Sequence, residues 1–197
     1  MKKLIITLII MLFVSNSYNL IAQDKIFGSV GGGFSVPTGD FDLSYKTGYN
    51  LAGNIGIAFD KLFGARIDLQ YNSFPFKEYT SFYGSVTGNS YTVFTVGADF
   101  VVSNFKDIRK PKAFIPYGFA GLYFMYNKPG DTKITTAYSS DTYTYDSESK
   151  AALGIGGGAI YNFSGNLGIS AEVKYSITLG GEQVNFIPLR VALTFMP

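Results

Sequence analysis

Alternation with a period of two runs through this chain, and it sets charged side chains in the middle of one face of the strands it predicts. Between residues 63 and 73, Ala65, Ile67, Leu69 and Tyr71 share a face, with Arg66, Asp68, Gln70 and Asn72 opposite. Residues 167–177 set Leu167, Ile169, Ala171, Val173, Tyr175 and Ile177 against Gly168, Ser170, Glu172, Lys174 and Ser176. Residues 50–59 and 187–195 repeat the pattern, the latter with Arg190 on its polar side. Successive side chains of a strand point to opposite faces, so each segment has one apolar and one polar face. Residues 25–36, 90–102, 113–125 and 151–163 read as strands with weaker alternation, giving eight in all.

The connections have two kinds of length. Residues 60–62, 103–112 and 164–166 are short links after the even strands, while 37–48, 74–89 and 126–150, with a brief 178–183, follow the odd ones. An up-and-down sheet with unlike ends has this form. Arg66, Asp68, Asp99, Glu172, Lys174 and Arg190 all lie mid-strand on the more polar face. In a soluble barrel that face would meet water. In a membrane barrel it turns inward, its charges pair, and the aliphatic and aromatic face meets lipid. Small residues on the polar faces, such as Gly56, Gly154, Gly156, Gly158 and Ser170, suit a narrow lumen that also holds a few long side chains. Aromatics collect at strand ends, with Phe59, Phe63, Tyr161, Phe163 and Phe195 toward the short turns and Tyr71 and Tyr175 toward the other end, as in an interfacial girdle. The predicted fold is all-β: an eight-stranded antiparallel up-and-down transmembrane β-barrel.

The amino terminus agrees with that location. Lys2 and Lys3 precede an apolar run from Leu4 to Val14 that is too short to span a bilayer as a helix, and Ala22-Gln23 follows as a cleavage point, with Ser17-Tyr18 as a second candidate. Residues 1–22 are expected to be a signal peptide and 23–197 a single barrel domain. Lys and Arg total 16 against 14 Asp and Glu, so without the leader the chain is close to neutral, and no nucleic-acid partner is expected. It has no Cys and no His, which removes disulfides, thiolate and imidazole metal sites and the commonest general base. No catalytic residue, cofactor or metal site is expected.

Three stretches carry a family resemblance: Gly31-Gly32-Gly33-Phe34-Ser35-Val36-Pro37-Thr38-Gly39-Asp40-Phe41, then Tyr49-Asn50-Leu51-Ala52-Gly53-Asn54-Ile55-Gly56, and Ile115-Pro116-Tyr117-Gly118. Together with the alternating last strand they resemble the small outer-membrane β-barrel proteins of Gram-negative bacteria, the OmpX-like, OmpA-barrel-like and PorT-like group. The resemblance implies the outer membrane as location. It implies outer-membrane lipid, lipopolysaccharide and the insertion machinery as partners, along with an extracellular or protein partner held by the outer loops.

Gly154-Ile155-Gly156-Gly157-Gly158-Ala159 spells a dinucleotide-binding motif, but no helix follows to hold a pyrophosphate, so it reads as a glycine-lined strand. Hairpin registers would set Glu172 opposite Arg190 and Arg66 opposite Asp99. The functional reading is a non-enzymatic structural or surface-interaction protein acting through its outer loops, where residues 74–91 and 133–145 alternate partially and could extend the hairpins as an exposed edge. A small-solute channel and a PorT-like component of a secretion assembly are the alternatives.

Overall fold

The computed structural model describes residues 26–181 and 183–196. The leader expected over residues 1–22 lies outside them. The strands are β1 (Ile26–Thr38), β2 (Gly48–Ala58), β3 (Phe63–Phe74), β4 (Tyr79–Ser81), β5 (Gly84–Gly88), β6 (Tyr91–Ser103), β7 (Ala113–Lys128), β8 (Thr132–Thr136), β9 (Ser140–Tyr143), β10 (Glu148–Asn162), β11 (Leu167–Leu179) and β12 (Asn185–Phe195), with a short α-helix, α1 (Asp40–Ser44), and a 3-10 turn at Phe105–Asp107. Eight of them close a barrel in the order β1-β12-β11-β10-β7-β6-β3-β2. Every neighbouring pair is antiparallel, and closure is made by β1 on β12, from Gly28 opposite Phe195 to Thr38 opposite Asn185. No helix among the described residues is long and apolar enough to cross a membrane. The eight barrel strands cross instead, and each of these exceeds the roughly nine residues a tilted strand needs.

The faces are inverted relative to a soluble protein. Leu51, Ile55, Ile67, Leu69, Leu122, Ile155, Val191 and Leu193 are exposed on the outer wall. Asn50, Asp68, Gln70, Asn72 and Lys174 are buried inside. This arrangement is stable only where the outer solvent is hydrocarbon, which also demands that every backbone group be paired. The strands run further outward than the alternation indicates. β1 continues to Thr38 rather than residue 36, β7 to Lys128 rather than 125, and β10 begins at Glu148 rather than 151. Above the lipid the ladder no longer needs an apolar face, so pairing outlasts the pattern.

Apolar clusters plug both ends of the lumen. At the inner end Phe27, Phe105, Ile108, Ile115, Phe119, Ile160 and Met196 pack together, with Phe27 stacked on Phe105 at 5.4 Å. At the outer end Phe41 meets Phe74 and Tyr91 edge-on, each at 5.0 Å, and Phe74 meets Phe186 at 5.3 Å. Phe41 reaches the mouth because Gly39 adopts φ 64° and turns the end of β1 into α1. That left-handed corner favours glycine.

The remaining four strands form a second sheet, β4-β5-β8-β9, above the mouth. The β6–β7 ladder, which ends at Thr92 opposite Lys128, resumes in the same register as β5–β8, from Gly88 opposite Thr132 to Gly84 opposite Thr136. The Asn89 N–H donates to the Asp131 carbonyl across the gap at 2.9 Å. At about 3.3 Å per residue the arm rises roughly 20 Å above the mouth.

Leu69 faces lipid mid-strand. Leu69→Arg is therefore expected to destabilise the barrel by about 2–4 kcal/mol, and Leu69→Phe to be nearly neutral. Urea unfolding in lipid vesicles checks this, and equal midpoints for the two variants would reverse the face assignment.

Candidate functional site

The lumen between the plugs holds one connected chain of charges. Arg66 Nε donates to Asp99 Oδ2 at 2.8 Å and its Nη1 to Glu172 Oε2 at 2.6 Å. Arg190 pairs with Glu172 through Nη2 at 2.6 Å and with Asp68 through Nη1 at 2.8 Å. Lys174 Nζ donates to the other Asp68 oxygen at 2.9 Å. Read in order, Asp99, Arg66, Glu172, Arg190, Asp68 and Lys174 alternate in sign, and the positive and negative members balance. Neighbouring strands set the register: Arg66 faces Asp99 across β3–β6, and Glu172 faces Arg190 across β11–β12.

Aromatic side chains of β7 close the chain. The Tyr123 hydroxyl donates to Asp99 Oδ1 while the face of its ring lies 4.2 Å from Lys174 Nζ, so one residue touches both ends. Tyr117 donates to Glu172 Oε2 at 2.9 Å, and the Arg66 guanidinium lies 4.1 Å from the centre of the Phe119 ring. Cation–π contacts strengthen when desolvated, as here. These rings need space, and inward glycines supply it. A Cβ on Gly154 would come within 2.5 Å of the Tyr123 ring, one on Gly97 within 2.3 Å of the same ring, and one on Gly156 within 2.6 Å of Phe119. The glycine run on β10 is thus a set of sockets.

Above the charges lies a neutral polar layer. Ser35 donates to Asn72 Oδ1 at 2.7 Å, Gln70 donates to the same oxygen at 2.8 Å, and Asn50 donates to Ser35 at 3.1 Å. Below them is a cavity of about 20 Å³, lined by Arg66, Tyr117, Ser29, Asn54, Ser170 and Thr194 among others. It has room for about one water. The Arg66 Nη2 has no hydrogen-bond partner among the described residues, which marks a polar group for that water to meet.

The aromatics at strand ends face outward. Phe59, Phe63, Tyr161, Phe163 and Phe195 are exposed at the short-turn end, and Tyr175 is exposed at the other. Tyr71 there is half-buried, with Tyr49 packed 6.2 Å away. The sequence gives Phe119 and Tyr123 no role, and Tyr117 enters there only within the stretch that carries the family resemblance. Residues 113–125 are apolar on both faces, so alternation cannot say which face turns inward.

The model of the outer membrane protein beta-barrel domain family matches residues 5–195. The chain belongs to this family. It resides in the outer membrane of a Gram-negative bacterium, embedded in outer-membrane lipid. Solved outer-membrane barrels share the fold, two of them as follows. Neisserial surface protein A superposes with a TM-score of 0.56 at 12% identity, covering 87% of this chain and 97% of that one. Ail, the attachment invasion locus protein of Yersinia pestis, gives 0.52 at 20% identity, covering 87% and 99%. No curated protein matches the chain.

The outer sheet completes the geometry of this family member. Its tips carry Phe82, Tyr83 and Tyr138, which are 98%, 83% and 100% exposed. The segment between β1 and β2 is laced to the base of the outer sheet: the Tyr45 backbone bridges to Phe76, Lys77 pairs with Asp42 at 3.0 Å, and the Tyr79 hydroxyl donates to the Leu43 carbonyl at 2.5 Å.

Two outcomes follow from the lumen. Asp68→Asn strands Lys174 and is expected to cost about 3–5 kcal/mol, less what lumen water recovers, with Asp68→Asn/Lys174→Met regaining much of it. A denaturant cycle measures this, and strict additivity would mean that the two do not interact. Gly154→Ala is expected to reduce folded yield, whereas Gly118→Ala is tolerated, because its Cβ would meet only the Gly156 carbonyl at 3.8 Å. Equal folded fractions on unheated gels would contradict the socket role.

Proposed function

We propose that this outer-membrane barrel is a non-enzymatic surface-interaction protein whose working part is the sheet above the mouth. The observation that carries the reading is that sheet itself. Strands β4 and β9 are its edges, with no further strand paired to them among the described residues. An unpaired edge can accept a strand from a partner. Three exposed aromatic side chains stand at its far end, where burying them in a partner would release water from large apolar surfaces.

In this reading residues 1–22 direct export, residues 23–197 form the single barrel domain, and the insertion machinery folds it. The exposed aromatics at strand ends fix its depth, lipopolysaccharide surrounds its outer end, and the charge chain of Arg66, Asp68, Asp99, Glu172, Lys174 and Arg190 is a structural plug. Conduction is disfavoured by the small cavity and by the apolar clusters above and below it. An eight-stranded barrel has an interior just wide enough for side chains to fill.

Crosslinking on intact cells tests the reading. Wild-type protein is expected to capture a surface partner, and Phe82→Ser/Tyr83→Ser/Tyr138→Ser or Thr142→Pro to reduce capture about tenfold or more, with unheated gel mobility unchanged. Undiminished capture by both variants would remove the outer sheet from the function.

A further inference from the structure

The inner rim of the barrel is strongly and unevenly charged. The link between β6 and β7 carries Lys106, Arg109, Lys110 and Lys112 against Asp107, and the neighbouring β2–β3 turn carries Lys61 against Asp60. The remaining inner turn, residues 163–166, has no charge at all. Lys61, Lys106, Lys110 and Lys112 are exposed. The acids are engaged locally: Asp60 Oδ1 accepts the Lys61 N–H at 2.6 Å, and Asp107 Oδ2 accepts the Asn104 amide at 2.8 Å.

The basic side chains sit on a fixed frame. Ser103 N–H donates to the Leu62 carbonyl at 2.9 Å and Phe105 N–H to the Lys61 carbonyl at 2.8 Å, so the two segments are joined. Phe105 and Ile108 anchor the link in the inner plug. Between link and turn lies an open pocket of about 450 Å³, lined by Phe59, Asp60, Lys61, Lys106 and Arg109 among others. Next to it on the lipid-facing wall, Phe100 packs 6.2 Å from Phe59 and 5.6 Å from Phe63, and all three rings are exposed. A cationic pocket therefore opens at the lipid–water boundary beside an apolar bed.

We propose that this pocket binds the headgroup of an anionic phospholipid of the inner leaflet, with Lys61 and Lys106 on the phosphodiester and the acyl chains against Phe59, Phe63 and Phe100. Basic clusters at a membrane surface attract anionic lipid. A zwitterionic lipid offers the same phosphate, but its own ammonium offsets the attraction. A free phosphate offers the charge without chains for the aromatic bed. This site is independent of the outer sheet and of the function proposed for it.

The test uses the full barrel in nanodiscs of equimolar phosphatidylglycerol and phosphatidylcholine, with retained lipid read by native mass spectrometry after release. Wild-type protein is expected to retain phosphatidylglycerol preferentially. Lys61→Gln/Lys106→Gln is expected to lose this preference by about fivefold per lysine. Lys61→Arg/Lys106→Arg and the outer control Lys46→Gln/Lys133→Gln are expected to keep it. Equal retention by the glutamine variant, an equal loss in the outer control, or displacement of the lipid by added inorganic phosphate would each overturn the proposal.

Discussion

Backbone hydrogen bonding without water is the constraint on which this structure rests. In hydrocarbon an unpaired N–H or C=O has no solvent to turn to, so an open sheet edge is excluded at membrane depth. The first and last barrel strands are far apart in sequence, yet β1 and β12 pair along nearly their full length. Once that seam is closed, the alternation of each strand has only one consistent sense. Apolar side chains go out, and whatever polar groups the strands carry go in. The same rule relaxes above the lipid, and there the chain forms a sheet whose edges, β4 and β9, pair with no further strand among the described residues.

Closure creates the second problem, which is what to do with the charges it buries. Single buried ions are very costly, and even pairs gain little over an apolar core. Here the ions are arranged so that each inner member of the chain touches two of opposite sign, and Tyr123 meets both ends. The glycines of β6 and β10 belong to the same solution, because the rings that complete the network occupy the volume their side chains would need. Polarity, charge and glycine content in this lumen are parts of one packing arrangement.

Much of the barrel was legible in sequence because charges mid-strand mark one face of each strand, which a membrane setting turns inward. Arg66, Asp68, Glu172, Lys174 and Arg190 each sit in a segment whose opposite face is aliphatic, so face and register both follow. Strand β7 was legible as a strand but not in orientation, because Phe114, Leu122 and Phe124 are as apolar as Tyr117, Phe119 and Tyr123. Only the packing separates them. The connectivity of the charge chain also escaped, because Arg66 reaches Glu172 and Lys174 reaches Asp68 across the lumen between strands that are not neighbours. The outer sheet was partly visible in the alternation of residues 74–91 and 133–145. Its pairing of β5 with β8 depends on the barrel ladder beneath, which no local pattern encodes.

The shared register of β5–β8 with β6–β7 has a mechanical meaning. A pull applied at the tip passes along two strands that continue, with only a short break, into the barrel wall. Within the wall those strands are bonded on both sides, so their ladders are loaded in shear, many hydrogen bonds at once, rather than peeled one by one. The outer hairpins lack such backing among the described residues, where β4 and β9 are each paired along one side. Under load the arm would yield first at its margins and last at its root, so its attachment to the wall is the strongest part of it.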